Sequence, residues 1–211
     1  MGSKERRERE RDAVRTKILD AARTLFVANG YEGVSMRAIA EQIEYSPTLI
    51  YQYFKDKEAL LQELCSEDFD RLADEFRDLL QIADPLERIR QCCRKYAQFA
   101  LAYPNHYRLT FMTPLPLEPT EEELQQKKGK PEYDAYALVQ LLVTMAAQEG
   151  ALREPHPDID LMTQTLWAGI HGVIALEIVF GCDKWTPWKP LPERTEAMIN
   201  ALGYGLFAEK P

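Results

Sequence analysis

The chain has 211 residues, 45% hydrophobic and 28% charged, with 26 Lys and Arg against 34 Asp and Glu and a formal net charge of −8. These proportions exclude a disordered or collagen-like chain and describe one large or two small globular domains. No stretch approaches the ~18 consecutive apolar residues of a membrane span. The opening run Lys4, Arg6, Arg7, Arg9 and Arg11 is followed by no apolar segment, which predicts a cytoplasmic protein without a membrane partner. Cys65, the adjacent Cys92 and Cys93, and Cys182 form no Cys-x-x-Cys pair and have no histidine at ligand spacing. Neither a metal site, a cofactor nor a disulfide framework is therefore expected, and the thiols read as reduced and structural. Charge is unevenly placed: residues 1–56 sum to +1 and the remainder to −9. An acidic total can thus hide a neutral-to-basic head on an acidic body.

In chain order, the apolar residues recur at helical spacing and Pro or Gly punctuates the gaps, which predicts an all-α fold of about nine helices. Val14, Ile18, Ala21, Ala22, Leu25 and Phe26 form one face of a helix over about 13–29, ended by Asn29-Gly30. The preceding arm, KERRERER, alternates in sign and reads either as an extra electrostatic contact to nucleic acid or as a solvated helical extension. Ser35 is an N-cap candidate for a short helix bearing Ile39 and Ile43, and Ser46-Pro47 opens a second. Asp56 caps a long helix with Leu60, Leu61, Leu64, Phe69, Leu72, Phe76, Leu79 and Leu80, running to about 82. Asp84-Pro85 opens a helix closed by Pro104, and a shorter one covers 105–112. The Pro-rich segment 113–119 is a loop, and Thr120-x-x-Glu123 has the form of a capping box. Gly129-Lys130-Pro131 delays the next helix to about Tyr133–Gly150. A long, nearly uncharged helix spans about 158–180, and a last one about 193–208, with Met198, Leu202 and Leu206 on one side.

Two short helices joined by a tight turn and braced by a preceding helix make a helix-turn-helix, whose second helix enters the DNA major groove. Ser35 and Arg37 begin the first short helix, where N–H groups and dipole favour a phosphate. Ser46, Pro47, Thr48 and Gln52 lie at the front or exposed side of the second, where they can meet base edges, Gln52 addressing adenine bidentately. Phe54 reads as core.

Ile18, Ala21-Ala22, Leu25-Phe26, Gly30-Tyr31, Ser35, Ile39-Ala40, Ser46, Ile50-Tyr51, Tyr53-Phe54, Lys57 and Leu60 together resemble the N-terminal signature of TetR-type transcriptional regulators. Two positions depart from it: Glu44-Tyr45 stands where the family has Gly-Val, and Thr48-Leu49 where it has Gly/Ala-Thr. The resemblance implies that Tyr51, Tyr53 and Lys57 contact phosphates flanking the recognition helix; packing in the small core is the alternative for the two tyrosines. It further implies an N-terminal arm and DNA-binding domain over 1–56, and a helical body over 57–211, joined by the helix beginning near 57. Such bodies dimerise and hold a small molecule whose binding moves the heads.

Trp167, His171 and Gly172 resemble the Trp-His-Gly signature of one subclass of these bodies, as do Asn105 to Leu109 and Phe111-Met112. Trp167 and His171 are one helical turn apart, and the opposite row, Leu166, Ile170, Val173, Glu177 and Phe180, leaves the helix apolar on both sides. Burial on two sides follows, against a pocket or core and against a dimer partner. Tyr96, Phe99, Tyr103, Phe111, Met112, Met145, Trp167 and His171 are the pocket candidates, each with core packing as its alternative. His171 is either a ligand-lining residue or a core histidine orienting a carbonyl. Leu166, Ile170, Val173, Glu177, Met198, Leu202 and Leu206 are the dimer candidates, with simple exposure as the alternative for Glu177.

The function expected is a homodimeric repressor bound to a palindromic double-stranded DNA operator and released by an apolar or aromatic effector. Catalysis is not expected: only His106, His156 and His171 are available, no Gly-rich phosphate loop follows a strand, and spacing pairs no nucleophile with a base. The alternative is an activator or a helical interaction protein with a degenerate helix-turn-helix, motivated by Glu44 in the turn.

Overall fold

A computed structural model describes residues 3–113, 116, 121–153, 158–181 and 183–207, excepting the side chains of Ser3, Glu122 and Glu123. The fold is all-α. Ten α-helices occur among the described residues: α1 (Ser3–Asn29), α2 (Met36–Gln42), α3 (Pro47–Tyr53), α4 (Lys57–Phe76), α5 (Pro85–Ala102), α6 (Pro104–Met112), α7 (Glu121–Gln126), α8 (Ala135–Gln148), α9 (Ile159–Phe180) and α10 (Leu191–Leu206). A 3-10 turn, Arg77–Gln81, ends the long fourth helix earlier than its apolar row suggested. The capping box of Thr120 and Glu123, the cysteine at 182, the histidine at 156 and most of the Pro-rich loop lie outside the described residues. The other cap residues act as their types dictate: Asp56, Asp84, Asp134 and Asp158 each accept a backbone N–H of the first turn, at 2.8–3.1 Å.

Helix α1 begins at Ser3, ten residues before the start near residue 13 that the apolar stripe suggested. The alternating charges explain the extension: Arg6 Nε meets Glu10 Oε1 at 3.3 Å across one turn, and Arg9 Nε donates to the Glu5 carbonyl.

Two compact units form, Met1–Asp68 with Asn105–Glu118, and Phe69–Pro104 with Pro119–Pro211. In the first, Ile18, Ala22 and Phe26 of α1, Ile39 and Ala40 of α2, Ile50 and Phe54 around α3, Leu60, Leu61 and Leu64 of α4, and Leu109 of α6 make one buried core. In the second, α9 packs against α5, α8 and α10, and α5 against α8 and α10. A Cβ on Gly169 would sit 2.9 Å from Leu202 Cδ1 and 3.3 Å from Met198 Sδ, so the glycine sets the close approach of α9 to α10. Among the described residues α9 alone is long and apolar enough to cross a bilayer, but its Leu166, Ile170, Val173 and Ile174 are buried in the unit.

The turn between α2 and α3 carries the one non-glycine residue with positive φ among those described, Glu44 at 60°. Tyr45 N–H donates to the Ala40 carbonyl (2.9 Å) and Glu44 N–H to the Glu41 carbonyl (3.2 Å), a Schellman closure with Glu44 at the left-handed position. The closure is intact without the usual glycine, at a steric cost of about 1 kcal/mol. Glu44→Gly is expected to raise stability by about 0.5–1 kcal/mol, read as a higher midpoint in urea; an unchanged or lower midpoint would show that the turn bears no strain.

Candidate nucleic-acid interface

Ser46 opens α3 by accepting the Leu49 N–H (3.3 Å), and Pro47 fills the first helical position, where no N–H is needed. Ile50 is fully buried and Phe54 nearly so, which anchors one side of α3 in the core. The other side presents Pro47, Thr48, Tyr51 and Gln52 to solvent at the i, i+1, i+4, i+5 spacing of one helix face. Tyr51 is 55% exposed although it is large and aromatic. Three expected base-reading positions, Pro47, Thr48 and Gln52, and the phosphate candidate Tyr51 thus share one open surface. Tyr53 is half-buried against the core.

On α2, Ser35 accepts the Ala38 N–H at 3.1 Å, and exposed Arg37 holds Glu41 at 2.9 Å. Lys57 sits differently from a free flank cation. Its ammonium donates to the carbonyls of Tyr31 (2.7 Å) and Val34 (3.0 Å) and lies 3.9 Å from the Tyr31 ring centroid. Lys57 therefore braces the turn between α1 and α2, with one of its three protons left over.

Sequence reasoning missed a buried polar cluster in the same unit. Asp68 of α4, 1% exposed, accepts from Arg23 Nη1 (2.5 Å) and Thr110 Oγ1 (2.9 Å) and meets His106 Nδ1 at 2.6 Å. It joins α1, α4 and α6, while Arg23 Nε has no hydrogen-bond partner among the described residues. The available signal was a charge at a core position: Arg23 falls four residues after Leu19 and three before Phe26, both buried. Burial, and next the Asp68 carboxylate, push the neighbouring Cys65 thiol up to about 12. Burial likewise raises Cys92, and raises Cys93 to about 12, so all three thiols stay protonated and unreactive near neutral pH.

In the second unit Tyr96, Trp167 and His171 come together. Trp167 Nε1 donates to Tyr96 Oη at 2.9 Å, and His171 Nδ1 lies 3.4 Å from the same oxygen. Trp167 also meets the Tyr136 ring edge-on, a neighbour the sequence did not suggest. Burial lowers His171 below its ordinary value, so the ring is neutral near pH 7. The Tyr96 hydroxyl is one polar neighbour of the ring. Phe99 and Tyr103 pack with tilted rings, centroids 5.4 Å apart, and Met145 is half-buried on α8. Phe111 and Met112 belong to the first unit, where Phe111 packs on Tyr107.

The dimer candidates need correction. Leu166, Ile170 and Val173 are 4%, 2% and 9% exposed inside a single chain. Met198 and Leu202 face Gly169 of the same chain, and Leu206 is half-buried. Glu177 pairs with Arg194 of α10, whose guanidinium stacks on Trp188 at 4.9 Å. The apolar residues left in solvent lie on other faces of α9: Leu161, Trp167, Leu176, Val179 and Phe180.

A helix-turn-helix with an open recognition face, followed by a helical body, defines a DNA-binding regulator architecture. The family model for bacterial regulatory proteins of the tetR family matches residues 18–64. That for the tetracyclin repressor-like C-terminal domain matches 89–202, more than half of the chain. The chain belongs to the TetR family. Over 72 residues it is 39% identical to the HTH-type transcriptional regulator UidR of Escherichia coli K12, a stretch covering 34% of this chain and 37% of UidR. The match thus spans little more than a third of that relative's length. It is 28% identical over 155 residues to the fatty acid metabolism regulator protein of Bacillus subtilis, covering 73% of this chain and 78% of that protein. The crystal structure of a TetR family transcription regulator from Marinobacter aquaeolei VT8 superimposes with a TM-score of 0.73 at 23% identity, covering 96% of this chain and all of that one. At that identity the likeness concerns the fold.

Proposed function

We propose that the chain is a homodimeric transcriptional repressor that reads a pseudo-palindromic operator and leaves it when a small apolar or aromatic molecule binds the second unit. The observation that carries this reading is the solvent-facing row Pro47, Thr48, Tyr51 and Gln52 on a helix anchored by buried Ile50. One short helix reads few base pairs, so two-fold symmetry, with heads about 34–36 Å apart, supplies the missing specificity. Ser46 would join the base-reading row, Ser35, Arg37 and Tyr53 would position the duplex, and Lys57 would offer its remaining proton to a phosphate.

The dimer surface best supported is the seam Leu161, Thr165, Ala168, Gly172, Leu176 and Val179 of α9, spaced three or four residues apart along one helix face, with Gly172 half-buried and the others exposed. A Cβ on Gly172 would meet only open space within the chain, which leaves room for a second helix to approach closely. The aromatic group of Tyr96, Trp167 and His171 is the candidate effector site, with neutral His171 and Tyr96 as its hydrogen-bonding handles. The Bacillus subtilis relative's name, fatty acid metabolism regulator, favours an apolar effector. An effector that binds one head spacing better than the other would shift the population and the DNA affinity together.

Selection from a randomised duplex pool at moderate salt is expected to enrich an inverted repeat; no enrichment even at low salt would remove the reading. On the selected operator, Gln52→Ala is expected to relax base preference by about 1–3 kcal/mol at one position per half-site. Lys57→Ala should instead weaken binding to all duplexes alike and lower thermal stability, since two carbonyls lose their donor. Equal effects of the two variants on operator and random DNA would overturn this division of roles.

A further inference from the structure

The extension of α1 and the recognition helix enclose a common concavity. Arg7, Glu10, Arg11 and Val14 line it from α1, at the i, i+3, i+4, i+7 spacing of one face, and Gln52 and Tyr53 line it from α3. The space is about 400 Å³ and open to solvent. Its charge is positive: Glu10 is engaged by Arg6 at 3.3 Å, while Arg7 and Arg11 have no ion-pair partner among the described residues. Both arginines are exposed, so no interaction among the described residues accounts for holding two like charges one turn apart, an arrangement that is itself mildly unfavourable.

The structure assigns Arg7 and Arg11 as a phosphate clamp beside the recognition helix, gripping the DNA strand that borders the major groove read by Gln52. This rests on the DNA-binding function proposed above and extends the duplex footprint beyond the helix-turn-helix. Four residues of helix place the two guanidinium groups about 6 Å apart along the axis. Phosphates of one strand recur every ~3.4 Å of duplex length, so the pair can engage neighbouring phosphates. Guanidinium groups suit phosphate because their planar N–H fork matches two oxygens at once. The contacts carry charge but no base edge, so they add affinity to every sequence and specificity to none.

The experiment compares wild type, Arg7→Ala with Arg11→Ala, Arg7→Lys with Arg11→Lys, and the control pair Arg6→Ala with Arg9→Ala. Affinities for the selected operator and for a random duplex are measured across a salt series. Each phosphate contact contributes about 0.9 to the slope of log affinity against log salt. The alanine pair at 7 and 11 is expected to reduce that slope by about 1.8 per head on both duplexes. The lysine pair should keep most of the slope, which a role in mere helix packing would not predict, and the control pair should keep it entirely. If wild type binds and its slope is unchanged in the alanine pair, or the control pair lowers it equally, the clamp is overturned while the DNA-binding function stands. If wild type binds no duplex, both fall.

Discussion

Asp68→Ala is expected to lower the stability of the first unit by about 3–5 kcal/mol, because it strands Arg23 as a buried charge with no counter-ion. Asp68 is 1% exposed and Arg23 5%, so water cannot substitute for the missing carboxylate. His106 and Thr110 each lose a bond to Asp68 in the same step, which weakens the hold of α4 on α6. A melting temperature lower by of the order of 10 °C follows for a chain of this size. Asp68→Asn keeps the shape and one acceptor oxygen, turns the other into an NH2 donor and removes the charge, and should fall between wild type and Ala. Replacing the pair together, Asp68→Leu with Arg23→Met, should recover most of the loss, since a packed apolar pair avoids the cost of dehydrating two charges. A double variant as unstable as Asp68→Ala would show that the loss comes from packing around α4 and not from the unpaired arginine.

Leu176→Arg combined with Val179→Arg is expected to convert the protein from a dimer to a single-chain species in sedimentation. Both residues are already about half exposed in the protomer, so the fold should tolerate the change to within about 0.5 kcal/mol. In a two-fold interface each substitution faces its own symmetry copy or a close neighbour, so like charges meet across the seam. Losing the second head removes its effective concentration on the operator, and affinity for an inverted repeat should drop by roughly 10²–10⁴-fold. Binding to a half-site should barely change. A variant that stays dimeric would move the interface elsewhere on the second unit, and one that becomes monomeric yet binds the full operator normally would remove the need for a dimer.

The sequence determined the helical fold and the reading head because those depend on local rules. Apolar residues three and four apart, cap residues at Ser35, Ser46, Asp56 and Asp84, and prolines at first-turn positions each act within a few residues of themselves. The exposed row on α3 follows from the same periodicity once Ile50 is taken as core. The arm's helical form was legible in its alternating charges, which place Glu10 one turn after Arg6.

What the tertiary structure alone decided are the questions that join distant residues. Which side of α9 is buried could not be read from an element apolar all round; it was settled by Gly169, where α10 comes close enough for Leu202 and Met198 to fill the space a side chain would need. The partner of Arg23 lies 45 residues away, and the other groups on that carboxylate come from α6. Lys57, placed by resemblance at a phosphate, has most of its hydrogen-bonding capacity taken by two carbonyls of a turn 23 and 26 residues earlier. Such pairings are set by how helices pack rather than by propensity, and a charged side chain in an apolar stripe announces that a partner exists without saying where.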